Sequence, residues 1–459
     1  MTGTSLIFRS LREAGVTILA AVGTLLCALA ISPGPGPAVL AVVLCLSLSR
    51  SQLDRDRRGR IEAAAALPIV GLVSVGVGML LRRDPWLGAF VFVAGMFLSI
   101  WLRRFGPMAR RVGSLIALPF VVLLTTPYIP VTTDRAVPAA LIPVVIALLA
   151  LLWVSTLHAL ARRVRFLPPA PGPDRSVTTP KPTQASSLRP IASTRMAIQM
   201  AIALAGAFAV GYFFFAERWA WIVLTAFIVL SGNRGRLDVA YKSVLRVLGA
   251  TVGTLVALSL SIHVGSHDTM TVVLILFAIF LGVWLRPLSY AWWALFVTLA
   301  LALLQGFSGS SALQMLWPRL EEIVIGAVIG VASAWFVLPV RSTDALRRRI
   351  ADALAALSEV LDPATSERRP DHLVAAVAAV EQMAPAFRAS RLVTRRFRAP
   401  QPADWVDALV GCRDPAIALI VRRETPSSVR RAVGAARKSL REPEQILPAL
   451  QELRRSLTG

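Results

Sequence analysis

The chain contains twelve apolar stretches of about 14–24 residues, all before Val340. A hydrocarbon layer about 30 Å thick needs roughly 20 apolar residues per helix. A hydrophobic content of 56% and a mean hydropathy of +0.65 exceed what soluble domains carry. The pattern therefore predicts an all-α membrane protein with about twelve transmembrane helices. The predicted spans are 14–32, 36–49, 63–81, 86–102, 113–127, 139–160, 196–215, 219–232, 245–264, 270–286, 288–307 and 323–340.

The twelve stretches form two similar sets of six. Trp101 in FLSIWLRRFG matches Trp284 in FLGVWLRPLS, and Trp153 matches Trp335 at almost the same separation along the chain. Because six is an even number, each set enters and leaves the membrane on the same side. The sequence therefore predicts two parallel six-helix repeats, related by an axis along the membrane normal.

Composition divides the chain into four segments. The predicted division is a first membrane repeat at 1–165, a disordered cytoplasmic linker at 166–194, a second repeat at 195–340 and a cytoplasmic helical tail at 341–459. The linker is rich in Pro, Ser and Thr and has few apolar residues.

Apolar residues in the tail recur at helical spacing. One predicted stripe consists of Leu346, Ile350, Leu354 and Leu357. About 120 residues can bury a modest core, so a small helical bundle is expected. Helices that lie on the membrane through their basic faces remain an alternative.

The net charge of +23 follows the expected topology. With the N-terminus inside, most Lys and Arg residues flank the cytoplasmic ends of the spans, as the positive-inside rule requires. Both termini, Lys181 and Ser456 should then be cytoplasmic, and Ser310 outside, in an inner or plasma membrane. The basicity indicates contact with anionic lipids rather than nucleic acid. Arg9 and Arg12 also fit a signal peptide, although the hydrophobic hairpin that follows closely favours a retained first helix.

Sequence motifs for enzymatic chemistry are missing. Three cysteines and four histidines show no metal-ligand spacing, and neither a P-loop nor a dinucleotide fingerprint nor a nucleophile elbow occurs. The sequence therefore predicts a protein that is not an enzyme and that needs neither metal nor cofactor.

A short aromatic span, a basic loop and a glycine-containing helix carry a family resemblance. The matching residues are Trp219, Trp221, Gly235, Arg246, Gly249, Ala250 and Gly253. They resemble the fusaric acid resistance-like family, with aromatic acid exporters and plant aluminium-activated malate transporters as relatives. Ala250 and Arg236 stand where the family commonly has Thr, and in the first half no arginine opens the corresponding span.

The resemblance implies export or permeation of organic, often aromatic, carboxylates. In the malate-transporter relatives, two six-span units assemble around a pore, and the resemblance implies that the two fused halves of this chain mimic that pair; whether the chain also forms a homo-oligomer stays open. The basic residues near span ends become candidate binding groups for small organic anions: Arg246, Lys242, Arg286 and Arg103. A guanidinium offers a planar fork for a carboxylate. The alternative is that these side chains are anchors that reach the lipid headgroups.

The last span carries an acidic pair beside small residues. Glu322, Gly326 and Gly330 are four residues apart and share one helix face, as do Gly249 and Gly253 on an earlier span. Glycines on one face predict close helix packing, and a carboxylate at membrane depth is usually functional. Glu322 and Glu321 are therefore candidates for proton coupling. Alternatively, both lie in the outer headgroup layer, with Arg319 paired to Glu322.

These patterns favour a gradient-driven exporter of organic anions. A passive anion channel is one alternative. An envelope-assembly or scaffolding protein that transports nothing is another.

Overall fold

The computed structural model describes residues 3–51, 57–106, 141–167, 192–215, 218–261, 268–307, 312–362, 370–394, 401–422 and 426–458, with isolated positions from 109 to 124 and at 424. Every long regular element in these ranges is an α-helix. The helices before Val340 are α1 (Gly3–Ile31), α2 (Pro35–Ser51), α3 (Arg57–Arg83), α4 (Pro85–Trp101), α5 (Ile142–Arg163), α6 (Ala192–Phe214), α7 (Trp219–Leu230), α8 (Arg236–Ser261), α9 (Thr269–Leu285), α10 (Tyr290–Phe307) and α11 (Ala312–Phe336). More than half of the predicted span at 113–127 and most of the predicted linker at 166–194 lie outside the described residues.

Six of the described helices are long and apolar enough to cross a membrane. They are Ile7–Ile31, Pro85–Phe105, Ile142–Arg163, Ser193–Phe214, Arg236–Leu260 and Tyr290–Phe307. Shorter apolar helices are Gly36–Ser49, Trp219–Leu230 and Thr269–Leu285. Large apolar side chains such as Phe90, Phe213, Leu255 and Val328 are exposed on their outer faces, where lipid rather than water would suit them. The expectation of an all-α, multi-pass membrane protein is confirmed.

Helix α8 begins well before its apolar run. The run starts at residue 245, but the helix starts at Arg236, because the polar segment RLDVAYKSV also adopts helical structure. Asp238 in its first turn accepts a hydrogen bond from the Arg234 backbone N–H at 3.0 Å, and an acidic residue stabilises a helix N-terminus. Arg246 consequently lies about 15 Å along the helix from its first residue.

The chain forms two compact units. The first contains Met1–Ser231 and Lys242–Leu338. In it α1 packs on α2, α5 and α9, α4 packs on α3 and α6, and α7 packs on α6 and α11. One buried apolar cluster joins Val42 of α2 to Ala257 of α8, Ile279 of α9 and Leu299 of α10. The contacts α1–α9 and α4–α6 both connect helices from different halves of the sequence.

The two glycine pairs noted in the sequence lie where helices approach closely. A Cβ atom at Gly326 would lie 2.5 Å from the Ile222 carbonyl oxygen of α7, and one at Gly330 would lie 3.2 Å from Val229. On α8, a Cβ at Gly249 would lie 2.8 Å from the Ala291 carbonyl oxygen, and one at Gly253 would overlap the carbonyl of Leu295. Helices α7 and α11, and likewise α8 and α10, therefore meet backbone to backbone.

We expect the substitution Gly326→Leu to destabilise the membrane unit by roughly 3 kcal/mol or more, because the new side chain would have to displace the backbone of α7. The thermal midpoint of the purified protein should fall clearly. Gly15→Leu is the matched control, since a Cβ at this exposed position on α1 meets nothing within 4 Å. Equal midpoints for the two variants would contradict the close contact between α7 and α11.

The second unit consists of Gly232–Tyr241 and Pro339–Gly459. Its remaining helices are α12 (Ser342–Val360), α13 (Asp371–Glu381), α14 (Ala384–Thr394), α15 (Pro402–Gly411), α16 (Arg413–Arg422), α17 (Ser427–Ser439) and α18 (Pro443–Thr458). The stripe of Leu346, Ile350, Leu354 and Leu357 is buried in one apolar core, as its spacing predicts.

The loop before α8 and the first turns of α8 are structural parts of this second unit. Arg234 donates to the Gln382 carbonyl oxygen at 2.9 Å and to its side-chain Oε1 at 2.7 Å. The Leu237 backbone N–H donates to Ser342 Oγ at 2.9 Å, and the Leu237 side chain packs against the apolar core. Gly235 has a φ of +134°, and a Cβ there would lie 2.7 Å from Ser342 Oγ. Glycine is therefore required at this position.

Candidate functional site

Arg246 lies inside the membrane unit with its side chain only 1% exposed. Within the described part of the chain, its Nε and Nη1 atoms have no hydrogen-bond partner. Lys242 lies one turn earlier on α8. A basic side chain that anchors a helix end extends to the headgroups, whereas Arg246 is enclosed by protein. Buried N–H groups without a partner cost free energy, so this arrangement needs an explanation.

A second buried guanidinium comes from Arg319 on α11, whose side chain is 4% exposed. Its Nη1 donates to Gln305 Oε1 of α10 at 3.0 Å, and its guanidinium carbon lies 4.2 Å from the ring centroid of Trp221 on α7. Its Nε has no partner among the described residues. Arg246 and Arg319 are close enough to repel each other electrostatically. Two like charges thus share one interior region.

Glu322 is also buried, with 1% of its side chain exposed, whereas the neighbouring Glu321 is exposed. The closest cation to Glu322 is Arg218, whose Nε lies 3.4 Å from Oε1 but without hydrogen-bond geometry. The Arg218 side chain is 45% exposed. Sequence reasoning considered Arg319 as the partner of Glu322, but Arg319 interacts with this carboxylate only at longer range. Of the two candidate carboxylates, Glu322 thus faces the interior of the unit, and Glu321, one residue earlier on the helix, faces outward.

The other basic candidates lie nearer to helix ends. Arg286 caps the C-terminus of α9, is exposed, and has its guanidinium carbon 5.7 Å from the Trp293 ring centroid. Tyr290 is close enough to interact electrostatically with both Arg286 and Arg246. Arg103 is exposed in the 3-10 turn Leu102–Phe105, in the first half of the chain. The structure therefore brings Arg246 and Arg286 towards one tyrosine, and Arg103 lies on an element that carries no other candidate.

Three buried threonines extend the polar interior. Thr225, Thr254 and Thr298 have side-chain oxygens without hydrogen-bond partners among the described residues. Thr225 lies beside Gly326 at the contact between α7 and α11, and Thr298 lies beside Gly253 at the contact between α8 and α10. In the described ranges, no cluster of three His, Cys, Asp or Glu side chains could hold a metal ion. Apart from Glu322 Oε1, which has Arg218 at 3.4 Å, the unsatisfied groups around the two arginines are hydroxyls and guanidinium N–H donors, a set that suits an oxygen-rich anion.

Four members of this arrangement were not predicted as site residues from the sequence, although Trp221 is among the residues that carry the family resemblance. Gln305 is a polar residue near the end of an apolar stretch, Tyr290 begins that stretch, and Arg218 and Trp221 flank the start of a short span. A polar residue inside an apolar run is a usable signal. The residue with which it pairs cannot be read from the sequence, because Gln305 and Arg319 belong to different helices.

A comparison with known protein families finds a match over the part of the chain that contains this arrangement. Residues 201–333 match the sequence model of a family described as fusaric acid resistance protein-like. No curated protein matches the chain. The matched range contains Arg218, Arg246, Gln305, Arg319 and Glu322, so all of these buried or ion-paired residues fall within it.

Proposed function

We propose that this chain, whose residues 201–333 belong to the fusaric acid resistance protein-like family, is a gradient-driven membrane transporter that exports organic anions, aromatic carboxylates among them. The family match supports a transport function, and the long apolar helices supply the membrane part. Arg246 carries the proposal of an anionic substrate, because its buried guanidinium has donors that no described residue accepts.

The electrostatics of the interior support the same substrate class. Burying an ion without a counter-ion is costly, and the cost falls when an opposite charge arrives with hydrogen-bond acceptors. A carboxylate provides both, and a guanidinium fork can bind its two oxygens together. In our proposal a substrate anion passes between α8 and α11, contacts Arg246, and receives weaker attraction from Lys242 and Arg286 on the cytoplasmic side.

We also propose twelve spans arranged as two parallel repeats. The supporting observation is that helix contacts recur with the same offset that separates Trp101 from Trp284. The pair α1–α2 corresponds to α6–α7, α2–α5 to α7–α11, and α1–α5 to α6–α11. The contact α1–α9 between the halves corresponds to α6–α4. The charged residues are not repeated, since Ala63 stands at the place of Arg246, and Ala139 and Ala140 stand at the places of the acidic pair.

The proposed topology places both termini in the cytoplasm. In a variant without Cys27, Cys45 and Cys412, single cysteines at Lys181 and Ser456 should resist membrane-impermeant thiol reagents in whole cells, and a cysteine at Ser310 should react. Lys181 and Ser310 lie outside the described residues, so labelling provides independent information. External labelling of residue 181 would contradict the parallel arrangement.

Flux measurements on reconstituted protein test the proposed function. Proteoliposomes should accumulate or release organic carboxylates with saturable kinetics, and an imposed proton gradient should drive transport. Flux that follows membrane voltage and saturates weakly would favour the passive channel. Complete absence of flux across a panel of aromatic and aliphatic carboxylates, in protein that remains folded, would favour the scaffolding alternative.

A further inference from the structure

Arg319 has a fixed orientation. Gln305 accepts a hydrogen bond from its Nη1 atom, and the Arg319 guanidinium carbon lies over the Trp221 ring, 4.2 Å from the centroid. Its Nε donor remains without a described partner, in a side chain that is only 4% exposed. An arginine that only filled space between helices would be expected to have its donors satisfied. A guanidinium held by one hydrogen bond and one aromatic ring, with an unused N–H donor, is preorganised to bind a ligand.

The balance of buried charge indicates what kind of ligand fits. Among the described buried residues, Glu322 is the only carboxylate, and it already has Arg218 at 3.4 Å. Arg319 is attracted to Glu322 only at longer range, and no other buried carboxylate among the described residues faces Arg246 or Arg319, which repel each other. One monovalent anion would neutralise half of this charge. One divalent anion would neutralise all of it and could use donors on both side chains.

We infer that Arg319, held by Gln305 and Trp221, is a second anion-binding group beside Arg246, and that the two arginines together select organic anions with two negative charges over those with one. The inference rests on the proposed function, because Arg246 is taken to bind the substrate. It adds a specificity role: Arg246 is needed for every anionic substrate, and Arg319 distinguishes dianions from monoanions. Gln305 is a positioning residue that acts through Arg319.

Matched pairs of carboxylates test this selectivity in proteoliposomes at neutral pH. The probes are phthalate against benzoate and succinate against butyrate, which differ within each pair mainly by one carboxylate. Wild-type protein should have the lower KM for the dianion. Arg319→Gln should raise the KM for the dianion on the order of 10- to 100-fold, the effect of losing a hydrogen bond to a charged group, and leave the KM for the monoanion little changed.

Two substitutions at Gln305 test whether the orientation of Arg319 matters for selectivity, separately from its charge. Gln305→Leu should weaken dianion selectivity by a smaller factor, because Arg319 keeps its charge but loses its fixed orientation. Gln305→Glu keeps an acceptor for Arg319 and adds a negative charge, so it should abolish the selectivity.

The possible outcomes separate the inference from the proposed function. Wild-type protein that transports neither dianion, or an Arg319→Gln variant that retains the preference or loses both members of a pair equally, would overturn the inference. Undiminished flux in an Arg246→Gln variant would show that Arg246 does not bind the substrate, and would remove the basis of the inference while transport itself still stood. Absence of all flux in folded wild-type protein would instead refute the proposed function. Loss of all flux in Arg246→Gln together with an unchanged preference in Arg319→Gln would leave the proposed function standing without the inference.

Discussion

Replacing Arg246 by glutamine is expected to reduce organic anion flux on the order of 100-fold in proteoliposomes that contain equal amounts of protein. The substitution removes a buried charge whose Nε and Nη1 donors have no described partner and are available to a substrate. Hydrogen bonds to charged groups contribute about 1.5–3 kcal/mol each, so the loss of one or two accounts for an effect of this size. Arg246→Lys should restore flux only in part, because lysine keeps the charge but lacks the planar fork.

Arg104→Gln is the matched control for this prediction. Arg104 is exposed, stacks on Trp101 with its guanidinium carbon 4.5 Å from the ring centroid, and lies far from α8 in sequence. The same chemical change there should leave flux near the wild-type value. If Arg246→Gln, Arg246→Lys and Arg104→Gln all transport at the same rate, Arg246 has a purely structural role.

The second large effect is expected at Glu322. We predict that Glu322→Gln abolishes the dependence of transport on a proton gradient while exchange down a concentration gradient remains measurable. Glu322 is buried, and its nearest cation, Arg218, is half-exposed and makes no hydrogen bond with it. When Glu322 loses a proton it can pair with Arg218, and when it gains one Arg218 is free to turn towards solvent. Glutamine at position 322 is always neutral, so the side chain can no longer switch between pairing with Arg218 and releasing it.

Glu321→Gln is a close control, since Glu321 is adjacent in sequence but exposed. It should transport with the wild-type pH profile. Both variants are measured for uptake against an imposed proton gradient and for counterflow without one. A wild-type pH profile in Glu322→Gln would remove this carboxylate from the mechanism and would strengthen the case for a passive channel.

The sequence allowed six membrane helices to be predicted, because an apolar run long enough to cross the hydrocarbon layer has few alternatives to a membrane helix. It could not predict the depth of Arg246. An apolar stretch in a sequence ends where charged residues begin, and this rule predicts that Arg246 lies at the start of a span. In the structure, α8 already starts at Arg236. Helical structure in the polar segment before it carries the side chain into the interior.

The difference between Glu321 and Glu322 shows a second limit. Neighbouring residues on a helix point about 100° apart, so the alignment of Glu322 with Gly326 favoured it from the sequence. Which face is buried depends on the contact of α11 with α7, where the Ile222 backbone excludes any side chain at Gly326. The pair of Arg319 and Gln305 could not be found at all, since no local pattern connects residues on different helices.

The segment Gly232–Tyr241 belongs to the second unit, and this determines when during synthesis that unit can complete its core. Leu237 packs against a core that also contains Leu453 and Leu457. At about 5–20 residues per second, a ribosome adds those partners on the order of ten seconds or more after Leu237. During that interval α8 to α11 are synthesised while Leu237 and the donors of Arg234 lack their final contacts. The second unit therefore reaches its native core only after the membrane helices between its two segments have been translated.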